Sequence, residues 1–265
     1  MRSITEALRV PKSSSTQTNE TPSNGETLIN ELNPSAIVAF VGDSTDSSVT
    51  RMLDRIGSEG KLVLIDCDKE RLSAAQRIYK SRRNIVFIDD RLDHLSLSDQ
   101  CFDFIWSRFS LEDQKYPRQD FEQLTNLCKC GGWALFEELD QSHLNHFPLS
   151  KYLSDQLLEI AQRLSESRLW DPWVGRKLFS FFSETGFQNI QVEMKAHQTI
   201  YGGSDSDEIL EWKARMEQAH LAMKSGQFRL SFDLKCCESE FLAFFENPHR
   251  FSYSPLISVS GKKAE

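Results

Sequence analysis

The chain has 265 residues, 39% hydrophobic and 11% aromatic with 18 Phe, which is enough for a large buried core. A formal net charge of −8 argues against a nucleic-acid backbone as the main partner, because phosphate binding needs a basic face. No apolar run approaches the ~20 residues of a membrane span and no secretory core stands at the N-terminus, so the six Cys read as reduced thiols of a cytoplasmic protein.

Residues 1–27 are expected to be a disordered or loosely attached lead-in, since 11–26 are polar with almost nothing to bury. Order is expected from residue 28 to 265 as one domain. Leu28, Ile29 and Leu32 start it, and Pro34 closes the segment.

The next unit organises the rest. An apolar run from Ile37 to Val41 ends at Gly42, and a short polar loop follows. Val49, Met52, Leu53 and Ile56 then lie on one helical face. A second apolar run, Leu62 to Ile65, ends in Asp66. Strand, loop, helix and strand of these lengths predict two buried parallel strands joined by a crossover. The loop after the first strand and the acid after the second then share the carboxyl edge, where open α/β sheets bind ligands.

Asp68 is placed to cap a helix with Leu72, Ala75, Ile78 and Tyr79 inward. A third strand spans Asn84 to Asp90 and a fourth runs from Cys101 to Phe109. Pro117 suits a first helical turn, and that helix is expected to stop at Gly131-Gly132. Trp133 to Leu139 is the fifth strand. Such alternation argues for a doubly wound, mostly parallel sheet with helices on both faces.

The second half is expected to add helical cap elements at about 148–180 and 205–247. A long helix carries Leu153, Leu157, Ile160 and Leu164, and the aromatic loop Trp170-Asp171-Pro172-Trp173 follows it. An alternating strand should turn Ile190, Val192, Met194 and Ala196 inward. Trp212 sits on an apolar helix stripe and reads as core. The last strand ends the chain. Cys128 and Cys130, and the adjacent Cys236 and Cys237, lack the two-residue spacing of paired zinc ligands, and no metal is expected.

This layout resembles the class I S-adenosylmethionine-dependent methyltransferases, in particular their small-molecule-type domains. The resemblance covers roughly residues 35–200 and the final strand. It rests on Leu62–Asp66, on FDFIWSRFSLE after Cys101, on FEQLTNLCKCGGWALFEELD and on VGRKLFSFFSETGFQNIQVE. It implies a seven-stranded Rossmann-like sheet with an antiparallel last strand and a helical lid. It further implies S-adenosylmethionine as cofactor and methyl transfer to a small molecule. The first loop departs from the family pattern of an acid followed by Gly-x-Gly-x-Gly. Only Gly42 remains; Phe40 stands at the acidic position, and Ser44 and Asp46 at the later glycines. A catalytically inactive binding or scaffold protein of the same fold is therefore the rival reading; Phe40 or Asp46 filling the cleft would favour it.

Carried onto this chain, the cofactor residues are Gly42, Asp43, Ser44, Asp66, Cys67, Asp90, Arg91, Leu92, Ser107 and Arg108. Asp66 would accept both ribose hydroxyls, and Asp90 to Leu92 would flank the adenine. Asp43 could accept the ammonium, and Asp46 reads equally well as a helix cap. Asp43 and Asp46 would repel a pyrophosphate, which disfavours a nicotinamide dinucleotide. Phe109, His143, Trp170 and Trp173 are candidates for the substrate side. His143, His146, Glu138 and Asp140 lie beyond the fifth strand or at its end, and no residue stands out as the catalytic base. Exposed apolar lid surface could also serve a homodimer.

Overall fold

The computed structural model describes residues 24–141, 144–202 and 206–265. They divide into two compact units. One holds residues 24–140, 170–195 and 256–265, and the other takes the described residues between 141 and 169 and between 196 and 255.

The first unit is a three-layer α/β sandwich. Its elements begin with α1 (Asn24–Glu31), β1 (Ile37–Val41), α2 (Ser47–Ile56), β2 (Lys61–Ile65), α3 (Lys69–Ile78) and β3 (Ile85–Ile88). Then come β4 (Phe102–Arg108), α4 (Pro117–Asn126) and β5 (Cys128–Leu139). In sheet order the strands run β3-β2-β1-β4-β5, all parallel. The last strand, β8 (Phe251–Lys262), pairs antiparallel to β5 with Trp133 opposite Lys262 and Leu139 opposite Leu256. This is the doubly wound, mostly parallel sheet with an antiparallel last strand that was expected.

Strand alternation explains both cores. Val38 and Phe40 point to one side, among Val49, Met52, Leu53 and Trp106. Ala39 and Val41 point to the other, among Phe121, Phe136 and Phe182. Phe136 also meets Phe121 and Phe182 with ring centroids 4.7 and 5.8 Å apart. Each fully buried apolar side chain of this kind contributes about 1.5–3 kcal/mol of transfer free energy. Helix α6 (Val174–Glu184) belongs to this unit as well, so the boundary falls before α6 and not at residue 180. Gly175 lets α6 approach the end of β5, since a Cβ there would sit 2.8 Å from the Leu139 carbonyl oxygen.

The other unit contains β6 (Asn145–Phe147), α5 (Lys151–Glu166), α7 (Ser206–Lys224) and α8 (Leu234–Phe245). Ser150 caps α5 by accepting the Leu153 N–H at 3.1 Å. Leu157, Ile160, Trp212, Met216, Phe241 and Phe245 are buried in it, as expected of Trp212. Arg250 is buried too; its Nε donates to the Gly202 carbonyl at 2.9 Å and its guanidinium lies over the Phe245 ring. β6 is a strand beyond the seven expected; its Asn145–Phe147 faces Tyr253–Phe251 of β8. β7 (Gln188–Tyr201) and β8 contribute residues to both units.

Several local expectations are corrected. Helix α1 already begins at Asn24, inside the stretch expected to be disordered through residue 27; residues 1–23 lie outside the described ones. Gly25 there meets the Trp106 ring, where a Cβ would come within 2.7 Å. Helix α4 ends at Asn126, before the glycines, which lie within β5. Ile78, expected to face inward, is 59% exposed, while the next residue, Tyr79, is buried. Val192 and Met194 are 55% and 70% exposed, so the alternation of β7 marks a solvent face there and not a core face.

Candidate functional site

The loop after β1 spends its polar groups on its own structure. Gly42 has φ +140°, and a Cβ there would stand 2.4 Å from the Arg108 carbonyl oxygen. Only glycine permits that approach between the ends of β1 and β4. The Asp43 carboxylate accepts the Thr45 N–H at 2.8 Å and its hydroxyl at 2.6 Å. Asp46 caps α2 by accepting the Ser48 N–H at 2.7 Å, and its second oxygen takes Arg108 Nη1, also at 2.7 Å. Arg108 Nε lies 3.3 Å from Glu137, whose carboxylate also accepts the Trp106 indole N–H and the Ser258 hydroxyl. Phe40 is fully buried, edge-on to Trp106. Neither Phe40 nor Asp46 lines the cleft that opens at the carboxyl edge of the sheet.

Asp66 is the centre of that edge. Its side chain is 1% exposed. Oδ2 accepts the Ser44 N–H at 3.0 Å and Arg71 Nε at 3.1 Å. Oδ1 accepts the Asp68 N–H at 2.9 Å and Arg71 Nη2 at 2.8 Å. Burial alone would raise its pKa, but the hydrogen bonds from Arg71, Asp68 and Ser44 outweigh it and hold the carboxyl below its ordinary value. Asp66 is thus an anion that ties the β1 loop to the start of α3.

A cleft of about 320 Å³ opens beside it. Gly42, Asp66, Cys67, Asp90, Arg91, Leu92 and Phe109 line it, together with Val41, Ile65, Arg71, Ser110, Asp113 and Gln114. Leu92 opens a 3₁₀ turn through His94, which brings a buried apolar side chain to the end of β3. Asp43, Ser44, Ser107 and Arg108 are not among the lining residues; Ser44 and Ser107 are buried behind it.

The turn after β4 forms the far wall. Phe109 adopts φ +49°, and its N–H donates to the Glu137 carbonyl at 2.9 Å. Glu138 holds the next two residues. Its Oε1 accepts the Ser110 and Leu111 N–H groups at 2.8 and 2.9 Å. Burial, with the nearby Glu112 charge, pushes the Glu138 carboxyl up to about 8 despite those two donors. Ser110 also shares a short hydroxyl contact with Ser107.

The substrate-side candidates do not gather here. Trp170 is fully buried and Trp173 half-buried at the start of α6, and neither lines the cleft. His143 lies outside the described residues. His146 packs in the other unit against Phe241 and Phe244, with Nδ1 2.8 Å from the Ser252 hydroxyl. Asp140 is held in a bidentate pair by Arg176, with both contacts at 2.7 Å. Sequence reasoning missed Arg71, Ser110, Asp113 and Gln114. Arg71 was findable: with Asp68 as the cap, it stands in the first turn of α3. Side chains there lean back toward the helix N-terminus and the strand end before it.

Residues 44–136 match a family model described as a methyltransferase domain. A curated relative, malonyl-[acyl-carrier protein] O-methyltransferase from Marinomonas sp. (strain MWYL1), is 21% identical over 140 residues, 53% of this chain and 52% of that protein. The chain thus aligns with about half the length of that relative. Among solved structures, the YcgJ protein of Bacillus subtilis is similar over 91% of this chain and 98% of its own, with 15% identity and a TM-score of 0.54. Phosphoethanolamine N-methyltransferase 2 of Haemonchus contortus, solved with phosphomonomethylethanolamine and S-adenosylhomocysteine, is similar over 90% of this chain and 51% of its own, with 12% identity and a TM-score of 0.54. The methyltransferase-domain match thus takes in β2 to β4 with part of the loop after β1 and most of β5, and the solved structures share the fold.

Proposed function

We propose that the chain binds S-adenosylmethionine in the cleft beside Asp66 and transfers its methyl group to a small-molecule acceptor. One observation carries this reading: a buried, ionised carboxylate at the end of β2 faces a cleft at the carboxyl ends of β1 to β4. At about 320 Å³ the cleft is at the lower end of the range for small-molecule sites, about 300–1,000 Å³.

The residues present fit the cofactor. Val41, Ile65, Leu92 and Phe109 offer apolar walls for an adenine ring, and Asp66 would accept ribose hydroxyls in place of the Arg71 contacts it makes here. When bound, the cofactor supplies a methyl group on a sulfonium, an electrophile that needs no metal. The chain's part is to hold the two reactants close and aligned. The Phe109–Ser110 turn, fixed by Glu137 and Glu138, is the rigid wall nearest β4 for that purpose. A general base is required only where the acceptor must lose a proton. The phosphoethanolamine enzyme and the malonyl-carrier-protein enzyme act on different acceptors, and this chain's acceptor is left as a small molecule.

Calorimetric titration with S-adenosylmethionine and S-adenosylhomocysteine tests the reading, with NADPH as control. Micromolar binding is expected, weakened by about tenfold or more in Asp66→Asn, which keeps the shape but loses the charge. Failure of the native protein to bind at high micromolar ligand would overturn the reading and favour the scaffold alternative.

A further inference from the structure

The acceptors of Asp66 are fully subscribed. A carboxylate offers about four lone-pair sites. Two are taken by the backbone N–H groups of Ser44 and Asp68, which the loop and α3 need. The other two are taken by the Arg71 fork, at 3.1 and 2.8 Å. A ribose presents two hydroxyls, and they have no acceptor on Asp66 while Arg71 stays.

We propose that Arg71 is a built-in competitor for the ribose-binding carboxylate. It must leave Asp66 before a nucleoside can be held there, and it sets how tightly the cleft binds one. The proposal rests on the cleft being an S-adenosylmethionine site, and it adds the residue that tunes that site.

Three features separate this pair from a fixed structural ion pair. Arg71 and Asp66 both line the cleft, so the contact lies in the ligand's path. The Arg71 side chain is 43% exposed, against 1% for Asp66, so the cation can swing into water at little desolvation cost. Two other carboxylates stand ready to receive it: Asp43 at 3.9 Å and Asp68 at 3.8 Å. Displacement therefore trades one partner for another and strands no charge. The released fork vacates two acceptor sites, the number a vicinal diol fills.

The experiment is calorimetry with S-adenosylhomocysteine and 5′-methylthioadenosine on the native chain, Arg71→Leu, Arg71→Lys and Asp66→Asn. Leucine keeps an apolar stem without the guanidinium. Binding of both ligands is expected to tighten roughly tenfold in Arg71→Leu, the order of a charge-assisted bidentate contact. Arg71→Lys, which keeps the charge but not the fork, is expected to fall between. Native binding of methylthioadenosine, a neutral ligand, is expected to strengthen modestly as salt rises, because the Arg71 guanidinium is 43% exposed and open to screening although Asp66 is buried. This arm needs no substitution, so it stands even if a variant folds poorly. Equal affinities in native and Arg71→Leu protein, with native binding indifferent to salt and weakened in Asp66→Asn, would overturn the competitor role and leave the cofactor site intact. Absence of binding in every form would overturn both readings.

Discussion

A carboxylate removed from water at the end of β5 must either collect donors or keep its proton. Glu138 does some of each: two backbone N–H groups reach one oxygen, and burial still holds its pKa near 8. The sign of its effect on stability follows from proton counts. Between the ordinary value of 4.5 and about 8 the folded chain keeps a proton that the unfolded chain has lost, so stability falls as pH rises through that window. The slope is on the order of 1 kcal/mol per pH unit. Glu138→Gln removes the titration; its stability is expected to be flatter in pH, with denaturant melts at pH 5 and pH 8 as the check. Gly42 makes a second prediction. Gly42→Ala puts a methyl against the Arg108 carbonyl at a φ that alanine avoids, and a loss of about 2 kcal/mol or more is expected in the same melts. The place of Asp66 was legible because an apolar run that ends in an acid sets that acid at the carboxyl edge of the sheet. The nearness of Arg71 was legible from its place in the first turn of α3, but its bidentate hold on Asp66 was not, because spacing does not set the rotamer of a long side chain.

The polar loop between β1 and α2 is an element in its own right. Asp46 caps α2 and anchors Arg108, with both side chains about four-fifths buried. Asp46→Ala is expected to lower stability by about 2 kcal/mol, from a lost cap and an orphaned guanidinium contact. The sequence offered Asp46 as either a ligand contact or a cap; geometry makes it a cap. Strand β7 is the contrary case. Alternating apolar residues usually mark a buried face, yet Met194 is 70% exposed. Periodicity gives the spacing of a face and not which side is covered. Met194→Glu is accordingly expected to shift stability by less than about 0.5 kcal/mol. The parallel strands were legible because strands buried on both faces leave continuous apolar runs, such as Ile37–Val41. Short β6, with three residues and no such run, left no comparable trace.

At the scale of the whole molecule, neither unit is a continuous stretch of chain. Connectivity enters and leaves the sheet-bearing unit twice, which composition and spacing could suggest only as helices placed late. No described helix is long and apolar enough to cross a membrane. β8 hydrogen-bonds to β5 in one unit and to β6 in the other. A chain truncated before Phe251 is expected to lose cooperative unfolding, because β5 loses the strand along its edge and Glu137 loses its Ser258 donor together. Near-ultraviolet circular dichroism and a calorimetric melt would show it.

That last strand also sets a schedule. The Ser258 hydroxyl that satisfies Glu137 stands 121 residues further along the chain. During synthesis from the N-terminus, β5 waits with an open edge, and Glu137 without one of its donors, until β8 has been made. Such a delay favours slow, non-local closure and exposure to aggregation. The nascent chain is therefore expected to complete its sheet only once β8 has emerged from the ribosome, and in the meantime to depend on whatever shields open strand edges in the cell.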